Sequence, residues 1–190
     1  MNFLDNSEIN KIEKSLKKYD TLRDELIIKS REIIKQSKVV INSVHRQENN
    51  DSSLKQLIKL KKEMDSIITS NDKLSNEGSA KIAYQEFAEA ALITEFSKSN
   101  KISYKNLNIN EECYLLGLCD LTGELSRIAV RKATNKKYKE VKRIFDCIEE
   151  IHTFFLKMDL RNSELRKKSD QIKWNLKKVE EILYDISMRG

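Results

Sequence analysis

Apolar residues recur at intervals of three and four through the N-terminal quarter of this chain. Such intervals place side chains in one stripe along an α-helix. No proline or glycine interrupts residues 6–46, so the stripe predicts a single helix over that range. At about 1.5 Å per residue, the helix would be about 60 Å long. The stripe comprises Ile9, Ile12, Leu16, Tyr19, Leu26, Ser30, Ile33, Ser37, Val40 and Val44.

The rest of the chain also has the composition of a helical protein. Its 190 residues include no proline and only four glycines, and 35% are charged, with both signs mixed. We therefore expect one all-α domain over residues 1–190, an antiparallel bundle of six to seven helices with a long N-terminal helix. The further helices are predicted at about 53–72, 79–97, 111–133, 137–158 and 163–188.

Several protein classes are disfavoured. No stretch approaches about 18 consecutive apolar residues, and the first residues lack the apolar segment of a signal peptide, so we expect neither a membrane span nor export. Cys113, Cys119 and Cys147 form an odd set without C-x-x-C spacing, which argues against a zinc site and a disulfide framework. These features favour a reducing cytoplasm.

Charge is unevenly distributed along the chain, whose net charge is +6. Residues 126–190 hold 17 Lys and Arg against 10 Asp and Glu, whereas residues 51–125 hold 9 against 12. The basic C-terminal third indicates a polyanionic partner such as nucleic acid. A solvated helical surface is the alternative interpretation.

Two pairs of acids lie in segments that are otherwise mostly apolar or small. Glu86 and Glu89 belong to KIAYQEFAEAA, and Asp120 and Glu124 belong to GLCDLTGELSRI. Spacings of three and four place each pair on one side of its helix. Glu86 and Glu89 occupy the stripe that a globular helix normally fills with apolar residues and turns inward. Partly buried carboxylates are costly unless a basic partner or a cation neutralises them.

Carboxylate oxygens are ligands that suit Mg²⁺ or Mn²⁺. Such a site can orient a phosphodiester and lower the pKa of a water that attacks it. The four acids are therefore candidate metal ligands. The alternative is a polar network in which Glu86 and Glu89 pair with lysines or with Arg127 and Arg131.

Three other residues in or near the predicted helices stand out. Gly117 and Gly123 lie inside the predicted fourth helix, where glycine costs about 1 kcal/mol relative to alanine, which suggests that a neighbouring backbone or ligand approaches closely. Simple helix packing is the alternative at Gly117. His45, near the end of the first helix, is a candidate proton shuttle or phosphate contact, with capping or packing as the alternative.

The motifs YQEFAEA (residues 84–90) and DLTGELSR (residues 120–127) resemble those of the translin family, specifically its TRAX-like branch. Three further segments are similar in pattern. Residues 23–46 resemble the long first helix with its closing His-Arg, residues 141–151 the penultimate helix, and residues 165–190 the last helix. The two acidic motifs are the specific part of this resemblance.

The resemblance implies a seven-helix bundle that assembles into barrel-shaped octamers and binds single-stranded or short RNA and DNA. It also implies a Mg²⁺-dependent endoribonuclease site in TRAX-type subunits, whose catalytic acids correspond to Glu86, Glu89 and Asp120, with Glu124 as the fourth. Translin-type subunits lack this acid set and bind without cutting. The chain is shorter at both ends than the eukaryotic TRAX pattern, which resembles a prokaryotic or archaeal homologue. The apolar stripe of the long first helix leads us to expect that the chain self-assembles.

We therefore expect an endoribonuclease in which the four acids hold one or two Mg²⁺ or Mn²⁺ ions. Arg127, Arg131, Lys173 and Lys177 are expected to contact the phosphates of RNA. The first alternative is a non-catalytic oligomer that binds single-stranded RNA or DNA without metal. The second is an all-helical nucleotide pyrophosphatase, against which the four-residue spacing of the second acid pair counts.

Overall fold

The computed structural model describes residues 5–99, 102–161 and 163–189, without the side chain of Arg189. Over these ranges it contains six α-helices, one short 3₁₀ helix and no strand. The prediction of an all-α bundle with a long first helix is confirmed, and Gly190, the end of the predicted last segment, lies outside the described residues. The helices are α1 (Asn6–Arg46), α2 (Asp51–Thr69), α3 (Gly78–Ser99), α4 (Glu111–Thr134), α5 (Tyr138–Leu156) and α6 (Glu164–Arg189).

Side-chain caps mark where two of the helices begin. Asp5 accepts a hydrogen bond from the backbone N–H of Ser7 at the start of α1, and Asn110 accepts one from Cys113 at the start of α4. The connection before α3, predicted to be a loop, contains the 3₁₀ helix Asp72–Asn76. Within the described ranges, no helix has the length and apolar character that a membrane span requires.

The stripe of α1 divides into a buried half and an exposed half. From Leu26 to Val40 its members are fully or almost fully buried, because α2 and α3 pack against this part of the helix. Ile12 and Leu16 are more than half exposed. The N-terminal half is tied to the rest of the chain where Tyr19 and Arg23 bond Glu77. The helix therefore extends beyond its own core.

Helices α3 and α4 form the centre of the bundle. Helix α3 packs against α1 on one side and α4 on the other, and α4 in turn packs against α5 and α6. Small side chains help α3 to occupy this position, since a helix surface that carries alanine can approach a neighbouring helix closely. Its fully buried alanines are Ala80, Ala83, Ala88 and Ala90.

Helices α3 and α4 approach each other closely at Gly117. A Cβ atom at this position would lie 2.6 Å from the Cβ of Ala88 and 2.9 Å from the carbonyl oxygen of Gln85. The close approach expected at Gly117 is therefore a helix–helix contact. At Gly123 the nearest atom to an added Cβ would be the Asn175 amide nitrogen at 3.7 Å, an ordinary contact. The expectation of a tight approach does not hold there.

We predict opposite effects of alanine at the two glycines. Gly117→Ala should lower the free energy of unfolding by about 1–3 kcal/mol, because the overpacking outweighs the better helix propensity of alanine. Gly123→Ala, the matched control, should raise it by up to about 1 kcal/mol. Chemical denaturation followed by circular dichroism measures both changes. A Gly117→Ala protein as stable as the control variant would contradict the close contact.

Candidate functional site

The contact at Gly117 brings the two acid pairs together. The negative charges of Asp120, Glu86 and Glu124 all act on Glu89, which is only 9% exposed. Burial, followed by these three charges, raises the pKa of Glu89 to about 8. Glu89 thus lies among the other predicted acids.

Glu86 is half-buried beside Glu89. Burial raises its pKa, an effect that the charge of Asp120 reinforces and the charges of Lys38 and Lys168 oppose. Among the residues that the structure describes, neither Glu86 nor Glu89 has a hydrogen-bond or ion-pair partner for its carboxylate. Ile82, one turn before Glu86 on the same side of α3, is 51% exposed. The inward-facing part of this stripe therefore begins at Glu86.

Asp120 is held by two side chains from other helices. The ammonium nitrogen of Lys168, on α6, lies 2.6 and 2.7 Å from the two carboxylate oxygens of Asp120. The side-chain amide of Gln85, on α3, donates to one of these oxygens at 2.6 Å. This acid is therefore neutralised by a lysine, whereas the polar-network alternative placed such partners on Glu86 and Glu89.

Glu124 is held by a histidine and an arginine. The Nε2 atom of His45 contacts one carboxylate oxygen of Glu124, and Arg127 donates to both oxygens at 2.9 and 3.0 Å. Burial by itself would raise the pKa of Glu124, but the hydrogen bonds and charges of His45 and Arg127 outweigh it and lower the pKa. Arg131 donates to the backbone carbonyl of His45 at 2.9 Å, so His45 links the end of α1 to α4.

The four predicted phosphate contacts occupy different places. Arg127 donates to Glu124. Arg131, also on α4, donates to the backbone carbonyl of His45 at the end of α1. Lys173 and Lys177 are exposed on α6. Since successive residues turn by about 100°, these two lysines lie well away from the face of α6 that carries Lys168 and buries Ile172. Their part in nucleic-acid binding stays a prediction.

Lys168 and Gln85 were not among the residues singled out in the sequence. A signal for Lys168 was present, because Lys168, Ile172, Asn175 and Val179 are spaced by four, three and four residues. Ile172 and Val179 are fully buried and Asn175 donates to Thr122, so this stripe faces α4. A lysine on an inward stripe indicates a buried acid opposite. Nothing comparable distinguishes Gln85.

The donor chemistry of this cluster suits a divalent cation, although its side chains are not arranged as a finished ligand set. Within the described ranges, no three Asp, Glu, His or Cys side chains converge closely enough to hold an ion. Asp120 and Glu124 point to basic partners instead. Glu86 and Glu89 are two hard oxygen donors without a hydrogen-bonded or ion-paired partner among the described residues, and burial, followed by the like charges around it, raises the pKa of Glu89. In donor chemistry, the residues fit Mg²⁺ or Mn²⁺.

Comparison with known proteins identifies the family. The translin family model matches residues 81–190, which contain all four acids. An uncharacterized protein of Methanocaldococcus jannaschii is 31% identical over 170 residues, which cover 86% of this chain and 75% of that protein. The chain therefore belongs to the translin family. Human translin is 40% identical over 86 residues, and this match covers 45% of the chain but only 38% of human translin.

Solved structures agree with the fold. The crystal structure of apo-NeC3PO matches with a TM-score of 0.86 and 23% sequence identity, covering 97% of this chain and 98% of that one. AfC3PO in its complex with duplex RNA matches with a TM-score of 0.84 and 20% identity, covering 96% and 97%. At these identities the structures establish the translin-like bundle.

The raised pKa of Glu89 predicts a pH-dependent stability. The folded protein binds a proton at Glu89 more tightly than the unfolded chain does, so this contribution to stability is complete below about pH 4.5 and is lost as the pH rises through about 8. Glu89→Gln removes the charge. In the presence of EDTA it should raise the free energy of unfolding by a few kcal/mol at pH 9 and change it little near pH 4.5.

Urea denaturation at the two pH values tests this prediction. Glu149→Gln is the matched control, because Glu149 is an exposed acid on α5. It should show the same small effect at both pH values. The electrostatic description of the cluster is wrong if Glu89→Gln behaves like this control.

Proposed function

We propose that this protein is a metal-dependent endoribonuclease that cuts single-stranded or short RNA. The observation that carries the proposal is the position of Glu89, a buried carboxylate without a partner in the described structure, among three further acids. A fold gains no stability from such a group by itself. A divalent cation provides the missing positive charge.

The residues of the site have separate tasks in this proposal. Glu86, Glu89, Asp120 and Glu124 hold Mg²⁺ or Mn²⁺, which when bound polarises a phosphodiester and lowers the pKa of a water. Gln85 orients Asp120 and His45 orients Glu124 through the hydrogen bonds described above. Lys168 and Arg127 are the basic groups that contact the acids directly, so they are placed to hold phosphate oxygens.

The wider basic surface is proposed to bind the rest of the strand. Arg127, Arg131, Lys173 and Lys177 contact phosphates in this scheme, so that binding weakens as the salt concentration rises. The fold shared with AfC3PO, whose structure contains duplex RNA, supports a nucleic-acid ligand. Single-stranded DNA has the same phosphate groups and is a further candidate ligand.

The acid set supports placement in the TRAX-like branch of the family. The similarity to the M. jannaschii protein over most of both chains supports a compact form of archaeal type. All three cysteines are free thiols, which agrees with a cytoplasmic location.

A non-catalytic RNA- or DNA-binding protein is the second candidate. The ion pairs of Asp120 and Glu124 favour it, because acids that are already neutralised need no metal. The similarity to human translin favours it as well, because the family resemblance implies that translin-type subunits bind without cutting. This candidate predicts binding in EDTA and no cleavage with any divalent ion.

Cleavage of labelled single-stranded RNA in Mg²⁺ or Mn²⁺ separates the two candidates. The Glu86→Gln, Glu89→Gln double variant should lose at least about 100-fold in cleavage rate, because it removes both unpaired oxygen donors. It should still bind RNA in EDTA. Glu149→Gln, a charge-matched change outside the cluster, should cut normally. Unchanged cutting by a folded double variant would falsify the assignment, and no cutting by the wild type would favour the second candidate.

We further propose that the protein assembles into a homo-oligomer, with an octamer as the expected form. The exposed half of the α1 stripe supports assembly, since Ile12 and Leu16 present apolar surface on a helix that extends beyond its core. The solution mass should be that of several 22.2 kDa chains.

Ile12→Glu together with Leu16→Glu should reduce the mass, measured by light scattering at micromolar concentration. Lys14→Glu together with Lys18→Glu places acids on the opposite side of α1 and should leave the mass unchanged. A wild-type protein that is monomeric under these conditions contradicts the assembly proposal.

A further inference from the structure

A cavity of about 490 Å³ lies beside the acidic cluster. It is bounded by the end of α1 and the connection that follows, and by α3, α4 and α5. His45 belongs to both places, because it lines the cavity while its Nε2 atom contacts Glu124. The volume is in the range of cavities that hold small ligands.

The acids on the cavity wall are already paired. Asp51 bonds Lys98 at 2.5 Å, and Glu140 bonds Lys132 at 2.5 Å. Glu48 lies 3.8 Å from Arg46. These pairs cancel most of the charge of the wall.

Two arginines on the wall form no direct ion pair among the described residues, although the charge of Arg143 acts on Glu140, which is paired with Lys132. Arg131, on α4, donates only to the backbone carbonyl of His45. Arg143, on α5, has its guanidinium carbon 4.7 Å from the centre of the Phe96 ring. The Nε atom of Arg143 is buried and has no acceptor in the described structure. A buried donor without an acceptor is unfavourable, and an anion supplies acceptors.

We propose that this cavity binds a phosphate group through Arg131 and Arg143. Planar guanidinium groups match the oxygens of a phosphate, and Phe96 holds one of them in place. Arg131 follows Glu124 by seven residues, about 10 Å along α4, so one strand can occupy the acidic cluster and the cavity together. The inference rests on the nucleic-acid binding proposed above, but not on cleavage.

Fluorescence anisotropy with a short 5′-labelled oligouridine in EDTA tests the proposal. Arg143→Gln should raise the Kd about tenfold. It should also lower by about one the number of counter-ions released on binding, which is measured from the dependence of the Kd on salt concentration. Lys142→Gln is the matched control, because it removes the same charge one residue away. Lys142 is exposed, pairs with Asp146 and does not line the cavity. This control should leave the Kd within about twofold.

Two additional probes identify the source of the phosphate. Isothermal titration with inorganic phosphate and with adenosine monophosphate should show weak binding that Arg143→Gln removes, if the cavity takes free phosphate or a mononucleotide. If the oligouridine binds but inorganic phosphate and adenosine monophosphate do not, the cavity is assigned to a strand phosphate. If Arg143→Gln does not fold, Arg131→Gln and Arg143→Lys replace it, the latter keeping the charge but not the planar group.

Equal weakening by Arg143→Gln and Lys142→Gln overturns the proposal, and so does a wild-type protein that binds none of the three probes. An Arg143→Gln protein that binds the oligouridine as the wild type does overturns it as well. These assays measure binding only and do not depend on cleavage. Loss of binding at Arg143 in a protein that cuts no RNA would refute the nuclease while leaving the cavity assignment intact.

Discussion

The contact between α3 and α4 at Gly117 determines the position of every acid in the site. Because position 117 has no side chain, the two helix backbones meet at Gln85 and Glu89. The carboxylates of both helices are thereby crowded around Glu89. The same contact that buries Glu89 in the close-packed centre also concentrates negative charge there, and burial first, then these charges, raise the pKa of Glu89.

The surrounding helices neutralise this charge only in part. Helix α6 supplies Lys168 to Asp120, and α1 supplies His45 to Glu124, with Arg127 assisting from α4 itself. The inner acids, Glu86 and Glu89, are left without partners in the described structure. Full neutralisation would make a stable structural network. Partial neutralisation leaves negative potential that a cation can satisfy, and it positions basic groups close to the place where a phosphate would approach.

Helix α1 connects several of the proposed features. Its C-terminal end carries His45, which contacts the acid cluster and borders the cavity with Arg131 and Arg143. Its middle is buried against α2 and α3, and its N-terminal half exposes apolar residues suited to another subunit. A change in the position of α1 would therefore affect the acid cluster, the cavity wall and the proposed assembly surface together.

The sequence by itself determined the helices and the candidate acids. Periodic apolar residues and the absence of proline specify α1 to its end residues, and acids on an inward stripe identify Glu86 and Glu89, because both signals are local along the chain. Only the tertiary structure decided which groups meet them. Lys168 lies 48 residues after Asp120, and Glu124 lies 79 residues after His45. Pairings over such separations depend on how the helices pack, and helical periodicity alone does not specify that packing.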